Sequence, residues 1–180
     1  YEHTKVRELM PGKAVTNGGT VSAKKIVIAT HFPMINKHGG YFIKLYQHRS
    51  YVLALKNASS FDGMYLDEDE KGLSFRHYKD MLLLGGGSHR SGKQGGNWHE
   101  LEWFARQHYP DAEIAARWAT QDCMTLDHVP YVGRYAKNTL DLFVATGFNK
   151  WGMTSSMVAA DILTDLVQER QNPYADVFDP

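Results

Sequence analysis

Leu142-Phe143-Val144-Ala145-Thr146-Gly147-Phe148-Asn149-Lys150-Trp151-Gly152-Met153-Thr154 is the stretch whose reading decides the fold of this 180-residue chain. Leu142–Ala145 is an apolar strand. Two glycines follow at 147 and 152, where the missing Cβ lets the backbone turn and approach another group closely. From Thr154 to about Val167 the spacing of Met157, Ile162, Leu163, Leu166 and Val167 predicts a helix, with Asp161 and Asp165 on its exposed side. A helix begun this way presents free N–H groups and a positive dipole end, suited to an electron-rich or anionic group. An ordinary β–α turn, with glycines serving only geometry, reads the same residues equally well.

Outward from this stretch the chain is strand-rich. Asn17-Gly18-Gly19 joins segments 13–16 and 20–23 as a hairpin, because Asn and Gly tolerate positive φ. Lys24–Thr30 is a β-branched run suited to a strand covered on both faces. Segments 41–45, 50–56, 63–67, 72–78 and 80–84 form an antiparallel meander, and 85–96 is a glycine-rich loop. Asn97, with Glu100 three residues on, resembles a capping box opening a helix whose Trp98, Leu101, Phe104 and Ala105 share one face; Pro110 ends it. Segments 118–122 and 129–133 complete the strands. The fold class is α+β, and no internal repeat is present.

Composition narrows the function classes. The chain is 43% hydrophobic and 12% aromatic, enough for a substantial core, and its 20 Lys+Arg balance 20 Asp+Glu. A nucleic-acid or anionic-membrane partner usually demands excess positive charge, so neither is expected. The apolar runs fall far short of the roughly 18–20 residues of a membrane span. A single cysteine, Cys123, excludes an internal disulfide framework. No signal-peptide pattern is seen, so a soluble cytoplasmic protein is the expectation. The chain opens on Tyr1 in strand-like sequence, which suggests a trimmed or processed beginning.

Gly87-Ser88-His89-Arg90-Ser91-Gly92-Lys93-Gln94 nearly matches the phosphate-loop pattern G-x-x-x-x-G-K-S/T. Gln94 stands where a hydroxyl must reach Mg²⁺, and the helix starts too late to cradle phosphate. A hairpin-end loop that does not bind ATP is the better reading. Nine histidines invite a metal site, but none pair at H-x-x-x-H spacing, so no metal is expected.

Ala145–Thr154 followed by Val158-Ala159-Ala160 resembles the C-terminal FAD motif of D-amino-acid-oxidase-like flavoenzymes, the family of glycine and sarcosine oxidases. Val21–Thr30 resembles that family's strand ending near the cofactor. Leu73–Arg76, Leu82–Gly86 and His89 resemble its substrate-domain hairpin. Trp118–Asp122, with Thr125, Asp127, Pro130, Val132 and Gly133, resembles the strand returning to the FAD domain. The motifs are weak singly but collinear over nearly the whole chain.

The resemblance implies an FAD-domain remnant over residues 1–33, a substrate-binding domain over 34–133, and a closing strand and helix with a tail over 134–180. It implies cofactor contacts from Val6, Thr30, Gly147, Phe148, Asn149, Lys150, Trp151, Gly152, Met153 and Thr154, with Lys150 a candidate to stabilise the reduced flavin's charge. Arg76, His77, His89 and Arg117 become the substrate-binding candidates; no catalytic residue is identified. The implied activity is oxidation of a small amine or related substrate by hydride transfer to flavin. A non-catalytic binding module is the rival reading.

Departures qualify the match. The family's G-x-G-x-x-G fingerprint is absent and is expected upstream of Tyr1, in a missing N-terminal half; exposure of the remnant would favour self-association. The strand over 117–122 carries Arg117 only at its start, which argues against an α-amino-acid substrate. Thr154 stands where sarcosine-oxidase-like members carry a Lys, and Cys123 does not align with a flavin-attachment position. The motifs are closest to members with a C-terminal Rieske domain, and the ending Asn172–Pro180 resembles the junction before it. Any 2Fe-2S cluster would then lie beyond Pro180.

Overall fold

The computed structural model describes residues 1–69 and 72–180. In chain order its elements are β1 (Val6–Met10), β2 (Lys13–Thr16), β3 (Gly19–Ser22), β4 (Ile26–Ile28), α1 (Tyr41–Lys44), β5 (Leu45–Lys56), β6 (Met64–Leu66), β7 (Ser74–Tyr78), β8 (Met81–Arg90), α2 (His99–His108), β9 (Glu113–Thr125), β10 (Tyr131–Arg134), β11 (Leu142–Thr146), α3 (Gly152–Val167) and α4 (Ala175–Phe178). The class is α+β. The chain divides into two compact units, Tyr1–Leu45 with Cys123–Pro180, and Tyr46–Asp122. Residues 34–45 and 123–133 pack in the first unit. The reason is burial: Tyr41, Leu45, Cys123 and Tyr131 share a core with Ile28 and Val144.

In the first unit β1, β2 and β3 form an antiparallel meander, with the expected hairpin at Asn17-Gly18. A second sheet has the order β10-β11-β4. There β11 runs parallel to β4, with Phe143 opposite Val27 and Val144 opposite Ile28. The run over 24–30 is covered on one face only, since Val27 is 42% exposed. At the amino ends of these strands the Lys25 ammonium reaches Asp141 at 2.9 Å and Glu169 at 3.1 Å, tying β4, β11 and the end of α3 together. α3 buries Ala159 and Ile162, whereas Met157, expected on the buried face, is 73% exposed.

Segment 41–45, expected as a strand, is instead the one-turn helix α1 followed by the first residue of β5. Gly40, in the left-handed conformation at φ 70°, turns the chain into it and lets Tyr41 bury completely. The Tyr41 hydroxyl donates to the Tyr135 carbonyl at 2.8 Å, and the Tyr135 hydroxyl donates to the Ile35 carbonyl at 2.7 Å. Burial pushes the Tyr41 phenol far above the usual tyrosine range, with smaller contributions from Tyr135, Asp179 and Tyr131. Burial also raises Tyr131 and Tyr135. A raised folded-state pKa means the fold prefers the neutral phenol. That stability is whole below the unfolded value of about 10 and is lost as pH climbs through the folded value. Urea midpoints are therefore expected to fall above about pH 10. Tyr41→Phe should flatten this alkaline loss while costing about 1 kcal/mol at neutral pH for the lost hydrogen bond. An unchanged alkaline slope in the variant would remove Tyr41 from the account.

The second unit is built on a five-stranded sheet of order β6-β7-β8-β5-β9. Side chains alternate across it. Tyr51, Leu53, Leu55, Leu82 and Leu84 face α2 and pack on Leu101 and Ala105. Segment 85–90, expected as part of a loop, continues β8 as strand, and Val52 pairs with Gly85 while Arg49 pairs with His89. Gly85 fits the ladder because a Cβ there would stand 2.4 Å from the Ser74 Oγ. Strand β9 likewise runs well beyond the expected 118–122 at both ends. The capping box does not form. α2 starts at His99 with Trp98 as an N-cap that makes no side-chain bond, while Asn97, at φ 89°, accepts the Trp98 N–H on its own Oδ1 at 2.7 Å.

Candidate functional site

In the first unit the parallel pair β4 and β11 delivers two turns at its carboxyl end, the usual ligand-binding position in such sheets. Thr30 and His31 follow β4; Gly147 follows β11. The buried Thr146 hydroxyl donates to the His31 carbonyl, joining the two turns. Gly147 adopts φ 69°, and a Cβ on it would stand 2.3 Å from Thr125 Cγ2. This glycine is required by the protein's own packing.

Asn149 locks the turn. At φ 53° it occupies the left-handed region that Asn tolerates better than most residues. Its N–H donates to the Cys123 carbonyl at 3.1 Å. Its side-chain Oδ1 accepts the Thr125 N–H, and its Nδ2 donates to the His128 carbonyl, both at 3.1 Å. The backbone from Phe148 to Trp151 is thus held on both sides, with the Trp151 N–H on the Phe148 carbonyl at 2.9 Å.

α3 then begins at Gly152, with Ser155 donating to the Trp151 carbonyl. The N–H groups of Gly152, Met153 and Thr154 precede that bond, as in any first helical turn. No acidic side chain sits in this turn, and Trp151 makes no side-chain cap. The positive end of the helix is thus left open to a ligand. Trp151 is 63% and Met153 86% exposed, so an apolar rim flanks it.

Gly152 differs from Gly147. A Cβ on Gly152 would meet nothing within 4 Å, and its φ is not in the left-handed region. Among the described residues none requires glycine there, although glycine weakens a helix by about 1 kcal/mol relative to Ala. The bare backbone, the open amides and the apolar rim fit the polar edge of a flat heterocycle such as FAD's isoalloxazine.

The remaining candidates separate. Thr30 lies at this end of the sheet, its hydroxyl donating to the Phe32 carbonyl at 2.9 Å. Val6 lies in β1, paired with Thr16 in the other sheet of this unit. Lys150 sits on the exposed surface of the turn. Thr125 and Thr146, which shape the turn, carry no local signal of that role; their partners are distant in sequence.

The four substrate candidates lie on or beside the sheet of the second unit, three of them on the face toward α2. His77 packs edge-on against Phe61, which belongs to the core under α2. His89 stacks on Tyr51 and pairs with its hydroxyl at 3.0 Å. Arg117 reaches Glu102 of α2 at 3.0 Å and lies over the Trp98 ring. Arg76 alternates to the opposite face.

In the loop resembling a phosphate site, His89 and Arg90 pair in the β8 ladder and Gly87 and Ser88 lie at its register irregularity, while residues 91–98 separate it from α2. Among the described residues no three His, Cys, Asp or Glu side chains converge as a metal site. Nor, among the described residues, is any helix long and apolar enough to cross a membrane.

Comparison with known proteins identifies the family. The family model described as FAD dependent oxidoreductase (DAO) matches residues 1–166. A Bacillus subtilis (strain 168) protein named as a Rieske 2Fe-2S iron-sulfur protein, YhfW, is 35% identical over all of this chain and 38% of its own length. The D-amino acid dehydrogenase of Rhizobium rhizogenes is 27% identical over 85% of this chain and 39% of its length. Among solved structures, glycine oxidase from Geobacillus kaustophilus superimposes with a TM-score of 0.76 at 24% identity, covering 99% of this chain and 52% of that one. The chain thus spans about half the length of its solved relatives and less of the curated ones. With the family model running from residue 1 through this turn and most of α3, the chain belongs to the FAD-dependent oxidoreductase (DAO) family.

Proposed function

We propose that the protein is an FAD-dependent oxidase or dehydrogenase of a small amine, whose flavin edge rests on the turn Thr146–Thr154. Bound FAD would supply the hydride acceptor. The chain's own part is to hold the ring's polar edge against the Gly152–Thr154 amides, where the helix dipole and the nearby Lys150 favour the electron-rich reduced state. Asn149 and Thr146 keep that turn in shape. The observation that carries this reading is Gly152, at which a Cβ would meet none of the described residues within 4 Å. The names of the relatives, a glycine oxidase, an L-proline dehydrogenase and a D-amino acid dehydrogenase, support an amine substrate.

The similarity to the protein named as Rieske supports passage of electrons to a 2Fe-2S cluster. Such a cluster needs Cys and His ligands, and the single, buried Cys123 cannot supply them. Its ligands would come from outside these residues. The test is anaerobic mixing of the full-length flavoprotein with primary, secondary and carboxylated amines. Loss of the visible flavin band with at least one of them is expected. A flavin that no amine reduces, yet dithionite does, would overturn the amine assignment.

A further inference from the structure

Two histidines hang on the turn from β11 into α3. The Thr146 hydroxyl, itself 3.6 Å from the Cys123 Sγ, donates to the His31 carbonyl just past the end of β4. The Asn149 Nδ2 donates at 3.1 Å to the His128 carbonyl, in the loop between β9 and β10. Both histidines stand in the left-handed region, at φ 65° and 63°. Glycine adopts that conformation freely, whereas an L-residue pays for it, His less rarely than most. Lys79 and Glu169 share it, but at the β7–β8 hairpin turn and the end of α3, where turn and helix-end geometry call for it.

His31 and His128 are both exposed, and among the described residues neither imidazole makes a hydrogen bond or a ring contact. None of these residues gains from the rings, yet the backbone is pinned where glycine would sit without strain. Such strain persists where the surroundings over-determine it, and it clusters at functional sites. An imidazole both donates and accepts hydrogen bonds, and the carbonyls, ring nitrogens and phosphates of FAD offer partners for it. We propose, resting on the flavin seat at Thr146–Thr154, that His31 and His128 are cofactor-binding residues, each holding its imidazole against the bound FAD. Thr146 and Asn149 then shape three parts of one site, the turn they belong to and the two histidines whose carbonyls they hold.

The experiment titrates FAD into apoprotein prepared from the full-length flavoprotein, followed by flavin fluorescence, beside thermal melts of the apoprotein. His31→Gly and His128→Gly should each raise the melting temperature slightly by relieving strain, while weakening FAD about fivefold, the order of one lost hydrogen bond. His31→Ala and His128→Ala keep the strain, so they should weaken FAD equally without the gain in stability. Lys79→Gly should gain stability and leave FAD affinity alone. Each histidine stands or falls by its own pair of variants. FAD affinity unchanged in both, or lost with glycine and kept with alanine, overturns the assignment of that residue; the second result traces the loss to a loosened backbone. FAD binding indifferent to the histidines but lost in Gly152→Val would sink this inference and keep the flavin on the turn. FAD weakened by the histidine variants but retained in Gly152→Val would keep the histidines as cofactor ligands and sink the seat against Gly152.

Discussion

Replacing Gly152 with valine is expected to strip the flavin from the full-length protein while leaving it folded. A side chain at 152 enters open space, with nothing of the protein within 4 Å of its Cβ, and the backbone there is already helical. Valine at the start of a helix costs little, so the melting temperature of the apoprotein should barely move. The flavin edge, however, would meet the branched side chain where it needs the backbone. Gly147→Ala should behave in the opposite way. Its φ of 69° costs an L-residue about 1–2 kcal/mol, and its Cβ would stand 2.3 Å from Thr125 Cγ2. Overpacking adds about 1–3 kcal/mol. That variant should lose stability first, and flavin only as a consequence. Flavin-to-protein ratios after gel filtration, read beside thermal melts, separate the two. A full yellow complement in Gly152→Val would return that glycine to a mere turn role.

The second large effect concerns residues 1–180 expressed on their own, which should be isolated colourless and inactive. No G-x-G-x-x-G occurs within them, and FAD affinity in a doubly wound site depends on the pyrophosphate held by that turn and its helix. The Thr146–Thr154 turn presents one edge of the ring site. Ligands must first offset lost translational and rotational freedom, of order 4–15 kcal/mol, and one edge has few contacts for this. The same polypeptide leaves Val27 on β4 and Met153, Met157 and Val158 on α3 exposed, apolar surface that favours self-association. A visible spectrum taken with and without added FAD, after gel filtration, decides the matter. A stoichiometric flavin band surviving the column would show that this turn alone suffices.

By itself the sequence determined the elements whose signals are local. The strand–turn–helix around Gly147 and Gly152, the Asn17-Gly18 hairpin and the apolar face of α2 each follow from periodicity or turn chemistry within a few residues. The family was legible too, because its motifs keep their order along the chain. Three things were decided only by the tertiary structure. Segment 85–90 became strand because β5 was there to pair with it, which glycine-rich composition does not announce. The two site glycines divided their roles through Thr125, far away in sequence, which confronts one and not the other. Alternation places Arg76 and His77 on opposite faces of β7, yet it cannot say which face a helix will cover. α2 packs on the side of His77 and Arg117, so their polar groups are spent on protein neighbours, while Arg76 lies on the opposite face. Which face is covered is a matter of long-range burial, and burial is settled by the whole core rather than by any one strand.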